Sequence, residues 1–170
     1  IMRDQISFYL DRARAAARGG ALGAATLIAP SIEALLRAFG KIYGEKGVIF
    51  SGGADPRLRF LGERQDLEEM IGNLLDNAGK WAKSRVTIDV CVEGASRPTL
   101  RVTIDDDGPG LAAHLRAAAT QRGRRLDETK PGSGLGLSIV VDLAAAYGGS
   151  LQLDDSPSGG LRAELRLPGF

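Results

Sequence analysis

Residues 131–140, PGSGLGLSIV, place three glycines at alternate positions directly before an apolar run. A glycine-rich loop that leads into a helix is typical of phosphate binding, because the free N–H groups at a helix N-terminus attract anions. Two common glycine loops do not fit. A dinucleotide-binding loop follows a buried strand, whereas these glycines follow the polar segment QRGRRLDETK. A P-loop ends in Gly-Lys-Ser/Thr, and Leu137 stands where the lysine would be.

The composition limits the class of protein. A chain of 170 residues with 44% hydrophobic and 25% charged residues is typical of one globular domain. The net charge of +1 gives no reason to expect nucleic acid or an anionic membrane as a partner. No apolar run approaches the roughly 18 residues that span a bilayer, and no signal peptide is visible, so we expect a cytoplasmic location. Because Met2 follows Ile1, the stretch looks cut from a longer protein.

Hydrophobic periodicity predicts an α/β fold. Helical patterns cover residues 4–18, 32–43, 64–81, 111–119 and 133–147. Strand patterns cover residues 48–50, 58–61, 86–92, 100–104, 151–155 and 160–167. Strands 86–92 and 100–104 alternate with period two and are expected to pair antiparallel, and the last two strands are expected to form a hairpin. The single cysteine, Cys91, excludes internal disulfides and is expected to be buried. We predict an open sandwich in which helices cover one face of a single sheet.

Helix 64–81 carries a polar stripe. Its members, spaced four, four and three residues apart, are Glu69, Asn73, Asn77 and Lys80. A solvated face is the usual meaning of such a stripe, but asparagine is a poor helix former, and two on one stripe cost stability. Gly72 and Gly79 also weaken the helix and would let another group approach its backbone. Asparagine carbonyl oxygens suit Mg²⁺, and Lys80 would offset phosphate charge. Taken alone, the stripe leaves a solvated face and a phosphate site equally open.

Two further segments each allow more than one interpretation. DDDGPG, residues 105–110, is most often a tight turn, but it could place a carboxylate at a strand end to accept a hydrogen bond from an amino group such as that of adenine. The glycines would then let a flat base approach the backbone. The polar loop before the glycines contains Arg122, Arg124, Arg125 and Lys130. It could be a solvated loop, a weak nucleic-acid patch without aromatic residues, or a lid that supplies cations to a triphosphate.

Three sequence boxes in a fixed order indicate which kind of phosphate-binding site the glycines belong to. NLLDNA (73–78), DDGPG (106–110) and GSGLGL (132–137), separated by a hairpin and a lid, together resemble the GHKL ATP-binding (Bergerat) fold of histidine kinases, DNA gyrase and related ATPases. The resemblance covers about residues 32–167. It implies a two-layer α/β sandwich: a mixed, mainly antiparallel sheet with about three helices on one face, and the nucleotide between the helix layer and the lid.

One position indicates which branch of this superfamily the chain resembles. Members that activate water carry a glutamate four residues before the metal-binding asparagine, where this chain has Asn73. An amide cannot take a proton from water at neutral pH, so the pattern is that of a sensor histidine kinase, most similar to the PhoQ-type kinases. A nucleotide-binding regulatory module without phosphotransfer remains the alternative from another class. A hydrolysing ATPase of the same fold is disfavoured by Asn73.

The resemblance also implies roles by position. Asn73, Asn77 and Lys80 would be the catalytic residues, with Asn77 as the Mg²⁺ ligand, and Asp106 would recognise adenine. The full nucleotide-binding set would be Asn73, Asn77, Lys80, Trp81, Asp106, Gly108, Gly110, Arg122, Arg125, Lys130, Gly132, Gly134, Leu135, Gly136 and Leu137, and the cofactors would be ATP or ADP and Mg²⁺.

Two positions depart from the family pattern. Thr120 stands where relatives usually have a phenylalanine, which leaves lid closure open. His114, the only histidine, has no acidic neighbour in sequence and is expected to be an ordinary helix residue.

In the family the acceptor histidine lies on an upstream dimerisation helix. Residues 1–20 resemble the second helix of that hairpin, and residues 30–170 would form the ATP-binding domain. The resemblance further implies a homodimer through that hairpin, a response regulator as partner and attachment of the full-length protein to a membrane.

Overall fold

The computed structural model describes residues 24–120 and 136–170, and within them it confirms the predicted α/β architecture. The helices are α1 (Ile28–Ile42), α2 (Arg64–Trp81), α3 (Ala113–Ala119) and α4 (Gly136–Ala146). The strands are β1 (Thr26–Leu27), β2 (Ile49–Gly52), β3 (Arg59–Phe60), β4 (Arg85–Glu93), β5 (Thr99–Asp106), β6 (Ser150–Asp155) and β7 (Leu161–Pro168). None of these helices is long and apolar enough to cross a bilayer.

Five strands form one sheet in the order β2-β4-β5-β7-β6. The β2–β4 pair is parallel, and the other three pairs are antiparallel, so the sheet is mixed and mainly antiparallel, as predicted. The register pairs Val86 of β4 with Asp106 of β5. The end of β5 therefore lies beside the start of β4, directly after α2.

The core lies between one face of the sheet and three helices, α1, α2 and α4. Alternate strand residues enter it, among them Val86, Ile88, Val102, Ile104 and Leu165, all almost fully buried. α2 lies in the middle of the helix layer and contacts both α1 and α4. Its buried positions follow the apolar stripe of the sequence: Leu67, Met70, Ile71, Leu74, Leu75 and Ala78. This arrangement turns the opposite, polar stripe of α2 away from the core.

The outward face of the sheet is polar, and the prediction for Cys91 was wrong there. Cys91 alternates with Val90 and Val92 in β4, so its side chain lies on the outward face and is only half-buried. On the same face Arg162 of β7 donates two hydrogen bonds to the carboxylate of Asp105, from Nε at 2.8 Å and from Nη2 at 3.0 Å.

Several element boundaries differ from prediction, and two of them are helix starts. α1 begins at Ile28, before Pro30, because the first turn of a helix has no hydrogen-bond acceptor for its N–H groups and tolerates proline. α3 begins at Ala113, two residues later than expected. α4 is described from Gly136, so residues 133–135 of the predicted helix lie outside the described part. The short antiparallel pair β1–β3 was not predicted as a separate sheet.

Candidate functional site

Around α2, the first two sequence boxes meet the described end of the third, Gly136 and Leu137. Asn73 lies beside the first residue of α4, because a Cβ atom on Gly136 would be 3.4 Å from the Asn73 Oδ1. One turn after Asn77, the carbonyl oxygen of Trp81 lies directly against Gly108. The polar stripe of α2 therefore runs between the described start of α4 and the turn that follows β5.

Asp106, the last residue of β5, is buried and only 3% exposed. Its Oδ1 accepts hydrogen bonds from the backbone N–H of Gly108 at 2.9 Å and of Leu161 at 3.2 Å. Its Oδ2 accepts none from the described part of the chain. Burial raises the pKa of the Asp106 carboxyl, and the two N–H groups oppose that rise. One oxygen is thus fixed by the backbone while the other is left to accept a donor.

Glycines pack closely around this carboxylate. A side chain at Gly108 would overlap the carbonyl oxygen of Trp81, and one at Gly160 would overlap the Asp106 carboxylate. Gly110 has a φ of 73° and lies against the carbonyl groups of Gly159 and Gly160, so it needs the left-handed freedom of glycine. These glycines therefore allow two turns to pack closely against the carboxylate of Asp106.

Gly160 and Leu161 lie against Asp106 but were not predicted from the sequence. The segment SPSGG, residues 156–160, predicts only the turn between the last two strands. The turn is closed by hydrogen bonds from the Ser156 N–H to the Gly160 carbonyl at 2.8 Å and from the Gly159 N–H to the Ser156 carbonyl at 3.0 Å. The second of the two consecutive glycines, Gly160, is more than a turn needs and was the sequence feature that could have indicated this contact.

The two asparagines of α2 are both half-buried but differ in their bonding. Asn73 donates from Nδ2 to the carbonyl oxygen of Glu69 at 2.8 Å, which leaves Oδ1 facing the start of α4. The side chain of Asn77 makes no hydrogen bond with the described residues. Its amide oxygen can therefore take a ligand without breaking a protein contact.

Lys80 is already paired within α2. Its ammonium lies 3.3 Å from Asp76 Oδ2. Asp76 Oδ1 in turn accepts a hydrogen bond from the Tyr43 hydroxyl at 2.6 Å. Burial, together with this bond, raises the pKa of Tyr43 well above its ordinary value, so the hydroxyl remains a donor. Tyr43 follows α1, so the position of Lys80 depends on a neighbouring helix as well as on its own.

The other two carboxylates of DDDGPG have structural roles. Asp107 accepts hydrogen bonds from the N–H groups of Lys83, Ser84 and Arg85 and from the Ser84 hydroxyl. Burial acts to raise its pKa, but these hydrogen bonds hold it well below its usual range. Asp105 faces the outer side of the sheet and pairs with Arg162. Of the three, only Asp106 faces the candidate site.

The glycines of α2 do not open its backbone to a ligand. A Cβ on Gly79 would meet the ring of Tyr43 at 2.6 Å and that of Phe50 at 3.0 Å. A Cβ on Gly72 would make only an ordinary contact with Leu35 at 3.8 Å. The close approach inferred from the sequence exists at Gly79, but the rings of Tyr43 and Phe50 fill that space, so the prediction of ligand access was wrong at this position.

The remaining predicted residues divide into two groups. Trp81 is half-buried at the end of α2, Leu137 packs against the core, and His114 is exposed on α3. Thr120 follows α3 and donates from Oγ1 to the carbonyl oxygen of Ala117 at 2.9 Å. Six predicted nucleotide-binding residues lie outside the described part of the chain: Arg122, Arg125, Lys130, Gly132, Gly134 and Leu135.

Within residues 24–120 and 136–170, no three His, Cys, Asp or Glu side chains lie close enough together to hold a metal ion. In nucleotide sites Mg²⁺ takes most of its ligands from water and phosphate oxygens, so a single amide oxygen such as that of Asn77 fits this ion.

Comparisons with known proteins agree with this geometry. Residues 62–169 match the profile of the family described as "Histidine kinase-, DNA gyrase B-, and HSP90-like ATPase". Sensor protein kinase CarS of Pseudomonas aeruginosa is 51% identical over 118 residues, which cover 69% of this chain and 26% of CarS. Sensor protein PhoQ of Escherichia coli is 37% identical over 166 residues, which cover 95% of this chain and 32% of PhoQ. The chain thus spans a third or less of these relatives.

A solved structure has the same fold. The mycobacterial sensor histidine kinase MprB superposes with a TM-score of 0.72 at 26% identity. The match covers 86% of this chain and 98% of the MprB chain.

Proposed function

Because the chain belongs to the family of histidine kinase-, DNA gyrase B- and HSP90-like ATPases, we propose that it is the ATP-binding catalytic domain of a two-component sensor histidine kinase. Membership confirms the resemblance drawn from the three sequence boxes. The sensor kinases CarS and PhoQ among its relatives support this branch of the family.

Adenine recognition is the step that the geometry supports best. Asp106 is only 3% exposed, its Oδ2 accepts no hydrogen bond from the described residues, and the exocyclic amino group of adenine is a donor of matching chemistry. Gly108 and Gly160 let the turns on both sides pack closely against this carboxylate, and neither residue has a side chain that would stand between it and a flat base. This half-satisfied carboxylate is the observation on which the proposal rests.

The phosphate chain would lie along the polar stripe of α2. Asn77 would hold Mg²⁺ through its amide oxygen, with Asn73 beside it facing the phosphates, and Mg²⁺ when bound would neutralise charge on the phosphate oxygens. The described start of α4, Gly136, faces Asn73, and the N–H groups at a helix N-terminus suit a phosphate. Lys80 adds a positive charge. Arg122, Arg125 and Lys130 of the lid, Trp81, Gly110 and the glycine box 132–137 would complete the nucleotide site.

Transfer to a protein side chain, rather than to water, follows from Asn73. A water-activating site needs a base at that position, and an amide whose Nδ2 donates to the Glu69 carbonyl cannot supply one. The domain would instead orient the γ-phosphoryl for in-line attack by an imidazole nitrogen. The bond to the β–γ bridging oxygen would break, and ADP would leave. The chain would contribute positioning and electrostatic stabilisation.

The acceptor histidine would lie outside these 170 residues. His114 is the only histidine of the sequence, is exposed on α3 and has alanine and leucine as its neighbours. We propose that residues 1–20 are the second helix of a dimerisation hairpin and that residues 30–170 are the catalytic domain. The full-length protein would be a membrane-attached homodimer whose cytoplasmic part contains this domain. Its partner would be a response regulator, and nucleic acid would not be a ligand.

Two measurements test this function. Calorimetry should show Mg²⁺-dependent ATP binding, with slow phosphate release. The chain should then transfer label from γ-³²P ATP to a phosphoacceptor hairpin supplied in trans, giving an acid-labile product. Binding without transfer would favour the nucleotide-sensing module, and rapid release of phosphate would favour an ATPase. Absence of ATP binding would overturn the assignment.

A further inference from the structure

Two turns enclose Asp106 from opposite sides. The first, residues 107–112, continues from β5, and its Gly108 N–H donates to Asp106 Oδ1. The second, residues 156–160, joins β6 to β7, and the Leu161 N–H that follows it donates to the same oxygen. The turns also touch each other, because Gly110 lies against the carbonyl groups of Gly159 and Gly160. The width of the space beside Asp106 therefore depends on how these two turns are held.

Arg116 of α3 connects both turns from outside. Its Nε donates to the Leu111 carbonyl at 3.1 Å, at the end of the first turn. Its Nη2 donates to Asp155 Oδ1 at 2.6 Å, immediately before the second turn. A weaker contact joins Nη1 to Asp154 at 3.7 Å. One guanidinium group thus bridges two chain segments that are far apart in sequence.

We propose that Arg116 is a positioning residue for base recognition: it holds the two glycine turns at the separation at which the Asp106 carboxylate can receive the amino group of adenine. This inference rests on the proposed function, since it assigns a further determinant to the same nucleotide site. Arg116 itself contacts neither the base nor the phosphates.

The burial pattern distinguishes this role from general stabilisation. The Arg116 side chain is 19% exposed, whereas its partner Asp155 is 82% exposed. An ion pair with so exposed a carboxylate adds little to the free energy of unfolding. The contact is instead directional, because a planar guanidinium fixes two acceptors at set angles. Loss of Arg116 should change the geometry of the turns more than the stability of the fold.

The experiment compares ATP with inosine triphosphate, which has the same phosphates but a carbonyl group where adenine has its amino group. The ratio of the two dissociation constants, measured by calorimetry with Mg²⁺, isolates recognition by Asp106. Arg116→Ala should reduce the preference for ATP by about fivefold, the equivalent of one weakened hydrogen bond. The affinity for inosine triphosphate should stay nearly unchanged.

Arg57→Ala is the matched control. Arg57 also binds a carboxylate through Nε and Nη2, at 3.0 and 2.8 Å from Asp55, but it lies in the segment between β2 and β3. Its removal should leave the ratio unchanged.

The outcomes separate this inference from the proposed function. If the unaltered chain binds neither nucleotide, the proposed function fails. If the unaltered chain prefers ATP and Arg116→Ala keeps that preference, the role of Arg116 is refuted. An equal loss of affinity for both nucleotides would also refute it, because that result indicates a general structural effect.

Discussion

The backbone of Gly160 lies directly against the carboxylate of Asp106, although 54 positions separate them in the chain, and a Cβ atom at position 160 would overlap Oδ1. The contact forms because β5 and β7 are neighbours in the sheet, with Asp105 opposite Arg162. The end of one strand and the start of the other therefore share a single carboxylate. This pairing builds the candidate base pocket from two separate turns.

Asp106→Asn should change the base preference of the site without unfolding it. The asparagine Oδ1 can still accept from the Gly108 and Leu161 N–H groups, but its NH₂ group replaces the oxygen that would accept from adenine. We expect ATP affinity to fall about tenfold or more, as for a lost hydrogen bond to a charged group. Inosine triphosphate should bind equally well or better. Unchanged ATP affinity in this variant would remove Asp106 from the site.

The same carboxylate should make ATP binding depend on pH. Burial raises the pKa of Asp106 above its ordinary value, and only the ionised form accepts at both oxygens. As pH falls towards this raised pKa, the preference for ATP over inosine triphosphate should decline. The ratio of the two affinities is the right measurement because titration of the shared triphosphate cancels. In Asp106→Asn the ratio should not respond to pH, and a parallel decline there would contradict the assignment.

Asp107 should stabilise the fold rather than the nucleotide. Its carboxylate accepts from three consecutive N–H groups, those of Lys83, Ser84 and Arg85, so Asp107→Ala should lower the free energy of unfolding by about 1–2 kcal/mol at pH 7. The folded-state pKa of Asp107 is depressed. This contribution is therefore present above the unfolded pKa of about 3.9 and is lost as pH falls through the lower folded value.

Urea unfolding at pH 7, 5 and 3 tests this sign. The difference in the free energy of unfolding between the unaltered chain and Asp107→Ala should be constant from pH 7 to 5 and should shrink at lower pH. Asp55→Ala is a useful control, since Arg57 also lowers the pKa of Asp55, to about 2, but on an exposed surface where ion pairs add little. If this difference for Asp107 increased in acid, the hydrogen bonds that the structure gives to its carboxylate would be contradicted.

Local patterns predicted the elements of this fold well. α2 was predicted at residues 64–81, the bounds that it has, because its apolar stripe is long and regular. The hairpin of β4 and β5 followed from period-two alternation. The start of α1 was missed because proline usually marks a boundary, and Cys91 was misplaced because alternation was not applied to it. These errors concern positions where one local rule competes with another.

The site was only partly predictable, for a physical reason. Asn73, Asn77 and Asp106 stand in boxes that are contiguous in sequence, and the boxes do meet in the structure. Gly160 and Leu161 complete the pocket through strand pairing over more than fifty residues, and no local pattern encodes such a contact. The roles of Asp105 and Asp107 also required the register, because adjacent strand residues face opposite sides.

The two glycines of α2 should respond oppositely to alanine. Gly72→Ala should raise the free energy of unfolding by about 0.5–1 kcal/mol, because alanine is the better helix former and its Cβ would make only an ordinary contact with Leu35. Gly79→Ala should lower it by about 1–3 kcal/mol, because its Cβ would strike the Tyr43 ring. Thermal unfolding of both variants is the measurement. If both substitutions stabilised the chain, the packing of Tyr43 on α2 would be wrong.

Tyr43 and Tyr147 form a natural pair for testing the placement of Lys80. Each hydroxyl donates to a carboxylate of α2 at 2.6 Å, Tyr43 to Asp76 and Tyr147 to Asp66. Asp76 also pairs with Lys80, whereas Asp66 lies in the first turn, at the opposite end of the helix. Phenylalanine at either position removes one hydroxyl and should cost about 1 kcal/mol of stability.

Only Tyr43→Phe should also weaken nucleotide binding. Without the hydroxyl, Lys80 alone would balance the charge of Asp76, so the ammonium would be held more firmly by the carboxylate and less available to a phosphate. We expect ATP·Mg²⁺ affinity to fall about threefold in Tyr43→Phe, the scale of a weakened exposed ion pair, and to stay unchanged in Tyr147→Phe. Calorimetry on both variants tests this prediction. Equal ATP·Mg²⁺ affinities in Tyr43→Phe and Tyr147→Phe would mean that Asp76 does not control Lys80.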